Sequence, residues 1–331
     1  MSQLLLLIAV LLLLSYLLTW LTRVIALRRN ILDIPNERSS HLVPTPRGGG
    51  IAIVITWYIG ITFLFFRDLL TLDLYLALLT GIILAAVSLI DDIISLKPLL
   101  RMIFQVITAI AAFYFLGGIK PIVLFNNISI PVYVIYPVAI IGIVWFINLY
   151  NFLDGIDGYA SIEAVMLGAA FFLLTGDAIN AVIIACVTGF LIWNWPKAKI
   201  FMGDVGSTQL GFILIILGIY YHNEHRLSII WWLVLTSPYW FDATLTLFRR
   251  WRNKEKLSQA HRKHIYQRLN QSGFSHLRVD LFLIMLNALL IIIVYLLKDV
   301  VWLQLPVLIL SMALLYAITV YTDKRKPFPF D

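Results

Sequence analysis

The residues best suited to chemistry form a polar block in the middle of the chain. Two amides, two carboxylates and two glycines lie between Asn148 and Gly158, directly after the apolar run 139–147. Asn and Asp disfavour a helix interior because their side chains hydrogen-bond to nearby backbone, and Gly does so because its backbone loses more entropy. We expect a helix that ends near Tyr150 and then turns, with Asp154 and Asp157 at a membrane surface.

A second acidic group, Asp91-Asp92, directly follows the apolar run 82–90. Adjacent carboxylates repel each other, and where they are also buried one of them holds its proton more tightly, which suits a base or a cation-linked site. The alternative is a helix cap. Capping by both residues is less favoured, because Pro98 and the next apolar run come several residues later.

A third acidic position, Asp204, lies in the segment Phe201-Met202-Gly203-Asp204-Val205-Gly206-Ser207. The flanking glycines let the backbone turn tightly, and an Asp carboxylate is a hard oxygen ligand that suits magnesium. The alternative is that Asp204 caps the helix that follows. Ser207 can cap that helix instead, which would leave Asp204 free.

The first long loop ends in Pro46-Arg47-Gly48-Gly49-Gly50. Prolines and consecutive glycines favour an extended course with bare backbone, and a bare backbone that leads into a helix can hold phosphate. The alternative is a generic connector with basic residues, since a glycine-rich run is a weak motif by itself.

Histidines and basic residues are concentrated in the segment 249–277. On a helix, His261 and His264 would share a face, with Arg268 one turn further along it. These side chains suit a diphosphate better than zinc, which normally takes a third protein ligand, and no cysteine is present here. The alternative is a basic patch on anionic lipids, which explains the lysines but not the histidines.

The elements that must position these groups are membrane helices. Hydrophobic residues make up 61% of the 331 positions and charged residues 13%, a composition typical of polytopic membrane proteins. We predict an all-α polytopic integral membrane protein with about eleven spans, each near the ~20 residues that cross the hydrocarbon. The predicted spans are 3–22, 49–66, 72–90, 100–117, 131–149, 160–175, 178–195, 207–221, 228–248, 278–297 and 301–320.

The basic residues predict the orientation. If the loops 23–48, 91–99, 150–159, 196–206 and 249–277 share one side with the C-terminus, 21 of the 25 Lys and Arg residues lie on that side, counting Arg101 and Arg278 at the adjoining ends of two spans. We therefore predict that the N-terminus is outside and the C-terminus cytoplasmic. The net charge of +7 then reflects orientation and contact with membrane lipids, and no nucleic-acid role.

Three further features are placed by the same topology. Cys186 is expected to be a packing residue, because a single cysteine forms no disulfide within one chain. Asp242 lies inside the span 228–248, where an acid is a functional hypothesis by default and a buried partner is the competing explanation. The outward segment 118–130, with Asn126-Asn127, is expected to form a short turn or hairpin.

The polar clusters all fall on the cytoplasmic side of a topology that was derived without them. Carboxylates and cations around a divalent metal ion indicate phosphoryl chemistry, in which the protein mainly positions the reactants. The rival hypothesis is a cation or proton-coupled transporter. A transporter should place its charges near span midpoints, often in paired repeats, whereas here they cluster at one face and no repeat is visible.

Four motifs follow one another along the chain: Asp91-Asp92, Asn148-x-x-Asn151-x-x-Asp154-Gly155-Ile156-Asp157-Gly158, the segment 201–207, and the pair His261 and His264. Together they resemble the signature blocks of the polyprenyl-phosphate N-acetylhexosamine-1-phosphate transferases, the superfamily of MraY and WecA. The resemblance runs from the first loop to about residue 270.

This resemblance implies transfer of a sugar 1-phosphate from a UDP-sugar to undecaprenyl phosphate, with release of UMP. It implies Mg²⁺ as the cofactor, with Mn²⁺ as a substitute. It also implies one transmembrane transferase domain over residues 1–331, in the bacterial inner (cytoplasmic) membrane, multi-pass, with the active site facing the cytoplasm. The oligomeric state stays open, and a homodimer is one of the options.

The residue roles that the resemblance implies fall into three groups. Asp204 and Asn151 would bind the metal. The catalytic group is Asp91, Asp92, Asp154, His261 and His264, in which Asp91 or Asp92 would deprotonate or orient the lipid phosphate. The substrate-binding group is Asp157, which would lie near the uracil, together with Asn148, Lys97, Arg47, Arg262 and Arg268.

One departure bears on the sugar. MraY-type enzymes and WecA carry a denser histidine cluster than the His261-Arg262-Lys263-His264 of this chain. That form, with Asn36-Glu37-Arg38-Ser39-Ser40-His41 in the first loop, is more similar to the branch typified by WbpL, which initiates O-antigen or related surface glycans. We therefore expect a UDP-N-acetylated hexosamine or a deoxy derivative, rather than a muramyl-pentapeptide. Which carboxylate acts as a base, if any, stays open.

Overall fold

The computed structural model describes residues 2–35, 40–41, 43–124, 128–257, 259 and 261–329. These residues form fourteen α-helices. They are α1 (Ser2–Arg28), α2 (Gly50–Phe66), α3 (Leu72–Leu79), α4 (Gly81–Ile94), α5 (Pro98–Phe115), α6 (Val132–Phe152), α7 (Tyr159–Thr175), α8 (Ala178–Asn194), α9 (Asp204–Asn223), α10 (Ile229–Leu235), α11 (Ser237–Arg252), α12 (Ile265–Gln271), α13 (His276–Leu297) and α14 (Gln304–Arg325).

Two short antiparallel strand pairs and one 3-10 helix complete the described structure. Strand β1 (Leu32–Asp33) pairs with β2 (Thr45–Pro46), and β3 (Val123–Leu124) pairs with β4 (Ile128–Ser129). The second pair fits the hairpin predicted over 118–130, although its tip, Asn126-Asn127, lies outside the described residues. Residues 36–39 and 42, which belong to the first predicted loop, also lie outside them, and the 3-10 helix is Val301–Leu303.

The predicted class, an all-α polytopic membrane protein, is confirmed. Among the described residues, seven helices are long and apolar enough to cross a membrane, and α2, α7 and α8 are apolar but shorter. The predicted span 228–248 is broken at Thr236 into α10 and α11, because Pro238 lacks the amide hydrogen that would continue one helix. The structure thus supports the class but not the count of eleven, and the orientation stays a prediction.

Helix α9 is the central helix of the bundle. Within its apolar stretch 94% of the residues are buried, and α4, α6 and α2 pack around it. Helix α8 packs against α1, α2 and α7, and α13 packs against α7. Because α9 begins where α4 and α6 end, the first turn of α9 meets the last turns of both helices at one end of the bundle.

Candidate active site

At this end of the bundle lies a polar cavity of about 390 Å³, which we call the acidic cavity. It collects side chains from five separate stretches of the chain, so that residues far apart in sequence face one space. From the sequence-predicted site, Arg47, Asp92, Asn151, Asp154, Asp157 and Asp204 line it. With Asp33, five carboxylates of the described residues line this cavity; they repel each other and favour a bound cation.

Asp204 reaches the cavity because two backbone segments fit closely together. The amides of Gly49 and Gly50 donate to the carbonyls of Phe201 and Met202, both at 2.9 Å. A Cβ on Gly50 would collide with the backbone of Gly206, so only glycine allows this approach. The amides of Gly49 and Gly50 are therefore not free to hold a phosphate, contrary to the prediction. They fix the segment before Asp204 instead.

Helix α9 starts at Asp204 itself rather than at Ser207, because Gly203 adopts the positive φ that begins the helix. The expected cap by Ser207 is wrong, since its hydroxyl donates to Asn151 Oδ1 at 2.7 Å. Asn151 also hydrogen-bonds Asp204. Helix α6 runs to Phe152, beyond the predicted end at Tyr150, and this extra half-turn carries Asn151 to the cavity.

Asp204 and Asn151 fit a magnesium ion by the chemistry of their donors. Both offer oxygen ligands, and Mg²⁺ commonly takes one or two protein oxygens while substrate phosphates and water supply the rest. No three His, Cys, Asp or Glu side chains among the described residues are close enough to form a complete metal cage. The donor set thus fits an ion that arrives with a diphosphate.

The structure distinguishes Asp91 from Asp92. Helix α4 continues to Ile94, so both residues lie in its last turn rather than in a loop. Asp91 accepts from the amide of Leu96 at 2.6 Å and from Arg101 at 2.7 Å. Asp92 faces the acidic cavity instead, which makes it the better placed of the two for substrate.

Arg101 is a site residue that sequence reasoning missed. Its guanidinium lies 2.7 Å from Asp91 Oδ2 and 3.5 Å from Asp204 Oδ2. It was counted inside the apolar span 100–117, although Arg101 and Gln105, one helical turn apart, form a polar stripe that could have revealed it. Lys97, the expected cation, is exposed and lines neither the acidic cavity nor the groove described below.

A large apolar groove of about 800 Å³ lies beside the acidic cavity, between α5, α6 and α11. Its polar end carries Arg101, Asn148, His261 and His264. The amides of Asn148 and Gln105 pair, with Asn148 Nδ2 donating to Gln105 Oε1 at 2.7 Å. Arg101 therefore belongs to the groove and, through Asp204, to the acidic cavity.

His261 and His264 line this groove and not the acidic cavity. Residues 261–264 precede α12, so the predicted shared helix face does not exist. The rings nevertheless meet, with centroids 4.8 Å apart. Burial, His264, Arg250 and Lys263 together lower the pKa of His261 to about 3, so this ring is neutral at physiological pH and is not the expected cation.

Asp154 and Asp157 have different surroundings within the cavity. Burial, with repulsion from Asp204 and Asp157, raises the pKa of Asp154 to about 7. Asp157 Oδ2 accepts from the amide of Ala198 at 3.1 Å and lies 3.2 Å from His276 Nδ1. His276, which also lines the cavity, was not predicted, because it was counted within the loop before span 278–297 and stands alone there.

Arg268 was predicted to bind substrate, and its surroundings assign it another task. It is 1% exposed, pairs with Asp323 and donates to the carbonyl of Lys326. It therefore holds the C-terminal tail rather than a substrate. Arg262, also predicted to bind substrate, lines neither the acidic cavity nor the groove among the described residues, and its carbonyl accepts from Gln271.

Helix α12 packs over the polar block of residues 148–158 at Gly155. A Cβ on Gly155 would overlap the hydroxyl of Tyr266 and lie 2.9 Å from Gln267 Nε2. Tyr266 Oη donates to the carbonyl of Phe152 at 3.3 Å. Gln267, another residue that was not predicted, lines the acidic cavity from this side.

The comparisons with known proteins cover most of the chain. A family model described as glycosyl transferase family 4 matches residues 74–222. A probable undecaprenyl-phosphate N-acetylglucosaminyl 1-phosphate transferase of Bacillus subtilis (strain 168) is 30% identical over 328 residues, which cover 92% of this chain and 89% of that protein.

Two further relatives match over shorter stretches. A decaprenyl-phosphate N-acetylglucosaminephosphotransferase of Mycobacterium leprae (strain TN) is 28% identical over 317 residues, covering 81% of this chain and 77% of that protein. A phospho-N-acetylmuramoyl-pentapeptide-transferase of Streptococcus suis (strain 05ZYH33) is 29% identical over 218 residues, covering 60% and 65%. Because the similarity to the first relative spans 92% of the chain at 30% identity, the chain belongs to the polyprenyl-phosphate N-acetylhexosamine-1-phosphate transferase superfamily.

Proposed function

We propose that this protein transfers the 1-phosphate of an N-acetylated hexosamine from a UDP-sugar to undecaprenyl phosphate and releases UMP. One observation carries the proposal: the acidic cavity and the apolar groove meet at Arg101. A cavity rich in oxygen ligands suits a nucleotide diphosphate with its metal ion, and an apolar groove suits a polyprenyl chain. Their meeting point is where the two phosphates would have to react.

The groove suits the lipid substrate by its shape and by its polar end. Its walls are apolar side chains of α5, α6 and α11, which favour a hydrocarbon chain by burial. The guanidinium of Arg101 at this end can donate to phosphate oxygens. Asn148, predicted to bind substrate, has no free donor there, because its Nδ2 donates to Gln105 Oε1 and to the carbonyl of Val144. A lipid phosphate bound there would lie next to Asp204 and the acidic cavity.

The acidic cavity would take the UDP-sugar from the opposite side. Asp204 and Asn151 would hold Mg²⁺ or Mn²⁺, which when bound would offset the charge on the diphosphate oxygens. Arg47 donates to the carbonyl of Asp92 at 3.1 Å and faces the same space, so it can pair with a phosphate. Asp157, held by His276 and Ala198, would face the nucleoside end.

In the transfer, an oxygen of the lipid phosphate attacks the phosphorus bonded to the sugar. A new P–O bond forms to the lipid, and the bond between the two phosphates of the UDP-sugar breaks, so that the bridging oxygen leaves with UMP. Positioning of the two phosphates supplies most of the catalysis in such reactions. Asp92, which faces the cavity, is the best placed carboxylate to orient the attacking phosphate.

The relatives favour N-acetylglucosamine as the first sugar to test. Those that match over more than four fifths of this chain are named as transferases of N-acetylglucosamine 1-phosphate, whereas the muramoyl-pentapeptide transferase matches over 60%. The product would start a lipid-linked surface glycan such as an O-antigen. The excess of Lys and Arg on the site's side supports an active site facing the cytoplasm from the inner membrane.

The test uses purified protein with undecaprenyl phosphate, Mg²⁺ and a panel of UDP-N-acetyl sugars, with UMP release followed and the lipid product identified by mass. We expect lipid-dependent UMP release with UDP-N-acetylglucosamine or a deoxy derivative, and a product with the mass of a polyprenyl-diphosphate sugar. No lipid-dependent UMP from any sugar, in protein shown to be folded by cooperative thermal unfolding, would overturn the proposal.

A further inference from the structure

A buried carboxylate that the proposed mechanism does not use lies where α11 meets α12. Asp242 is 4% exposed and accepts from the amide of Ile265 through both carboxylate oxygens, at 2.9 and 3.0 Å. Thr246 donates to its Oδ1 at 3.0 Å. A buried charge persists only with such partners. Asp242 therefore has the buried partner that was one of its two sequence-based explanations.

The same carboxylate also faces a histidine of the groove. His264 Nδ1 lies 3.5 Å from Asp242 Oδ1. The backbone amide of Gln267 also points toward the His264 side chain in a capping-box arrangement, although no hydrogen bond of normal geometry from the described residues reaches Nδ1. The His264 side chain is almost fully buried and lines the polar end of the groove beside His261. Of the ring's two nitrogens, Nδ1 thus faces a carboxylate and Nε2 lies on the opposite edge of the ring.

We propose that Asp242 is a positioning residue that holds His264 with its Nδ1–H toward the carboxylate, so that the lone pair of Nε2 faces the end of the groove and can accept the proton of a singly protonated phosphate bound there. This inference rests on the proposed function for its substrate. A neutral imidazole carries one N–H, and a carboxylate beside one nitrogen decides which nitrogen carries it. Contacts of this kind are often long without substrate and shorten when it binds.

The competing explanation is that Asp242 serves only to anchor the first turn of α12 through Ile265. One substitution separates the two roles. Ile265→Pro removes the amide hydrogen that Asp242 accepts, and proline is well tolerated at the first position of a helix. His264 has φ −64° and ψ 153°, which is the conformation that a residue before proline prefers. The histidine and the carboxylate both remain in this variant.

The kinetic test compares Asp242→Asn, His264→Asn, the double variant and Ile265→Pro, each with its melting temperature. We expect Asp242→Asn to lower kcat about 10- to 100-fold, as loss of a partner that orients a histidine does. The double variant should be no worse than the more severe single variant, because the two residues act as one unit. Ile265→Pro should keep most of its turnover, because Asp242 retains the Thr246 hydroxyl and His264 as partners.

Two kinetic results would overturn the inference. One is a double variant whose loss is the product of the two single losses, and the other is an Ile265→Pro variant that loses as much turnover as Asp242→Asn.

A spectroscopic test makes the inference independent of turnover. In protein labelled with ¹⁵N-histidine, the signals missing from His264→Asn identify His264, and their shifts report which nitrogen is protonated. We expect Nδ1–H in the wild type and a change in Asp242→Asn, whose amide can donate to Nδ1. An unchanged signal overturns the positioning role. The expected change in a protein that releases no UMP would instead overturn the proposed function and leave the role standing.

Discussion

At the scale of single residues, the acidic side chains of the site differ in their partners. Asp91 pairs with Arg101 and accepts a hydrogen bond from the amide of Leu96. Asp157 lies beside His276 and accepts a hydrogen bond from the amide of Ala198. Asp92, Asp154 and Asp204 face the cavity. Substituting these residues should therefore produce different defects, although all are carboxylates at one end of the bundle.

The first prediction concerns the metal. Asp204→Asn should lower turnover by about 100-fold or more, because a bound metal contributes several kcal/mol to phosphoryl transfer and each 1.4 kcal/mol is tenfold. The measurement is UMP release over a Mg²⁺ titration. Glu224→Gln, which neutralises an exposed carboxylate at the other end of α9, is the control. Equal activity of both variants would remove Asp204 from the metal site.

The second prediction concerns the packing of α12 over the polar block of residues 148–158. Gly155→Ala should destabilise the protein by about 1–3 kcal/mol, because the new methyl group overlaps the Tyr266 hydroxyl. Gly142→Ala is the matched control, since its Cβ would meet nothing within 4 Å. Thermal unfolding in detergent measures both. If Tyr266→Phe fails to restore part of the stability of Gly155→Ala, the overlap is not the cause.

At the scale of elements, α12 is held from two directions. Asp242 binds its first amide from α11, and Arg268 joins it to the end of α14 through Asp323. Phe328 of the tail is buried, and among the described residues the cations Arg249, Lys263 and Arg268 lie over its ring, at 5.2, 5.9 and 5.4 Å. The C-terminal tail therefore stabilises the segment that carries both histidines.

The third prediction follows from this packing. Phe328→Ala should lower the melting temperature and speed proteolytic cleavage between residues 253 and 263, because cation–π contacts and buried aromatic area are both lost. Turnover should fall with it, since His261 and His264 lose their support. Phe66→Ala, at a ring that is 76% exposed, is the control. An unchanged cleavage rate would show that the tail does not hold this segment.

At the scale of elements, some features of the site could be predicted from the sequence and others could not. Apolar runs mark helices, and their ends meet at one level, so the convergence of Asp92, Asn151, Asp154, Asp157 and Asp204 could be predicted. The start of α12 could not, because it is set by Asp242, which is distant in sequence from Ile265. The assumed helix from 261 therefore gave Arg268 the wrong neighbours.

At the scale of the whole molecule, two acidic side chains are buried between helices, and one of them, Asp280, lies against Gly158. Glu163 and Asp280 are fully buried where α7 packs against α13, and Asn287 donates to Glu163 at 2.6 Å. Both acids lie inside apolar stretches. The sequence pattern alone therefore could not show whether their side chains are buried or exposed. The orientation of the bundle, in contrast, is predicted from Lys and Arg counts and can be measured directly.

The fourth prediction tests this orientation. Cys186 is fully buried and should give little background, so single cysteines report their own side of the membrane. Asp299→Cys should react with a membrane-impermeant maleimide in intact cells. Lys256→Cys should react only after the inner face is opened. The reverse pattern would contradict a site that faces the cytoplasm.

The central claim is that the lipid phosphate and the nucleotide sugar meet at Arg101. The most direct measurement is the KM for each substrate in Arg101→Ala, with Arg226→Ala, whose partner Asp177 lies far from the site, as the control. A charge-assisted hydrogen bond contributes about 1.5–3 kcal/mol, so both KM values should rise by about tenfold or more. Wild-type KM values for both substrates in Arg101→Ala would contradict the claim.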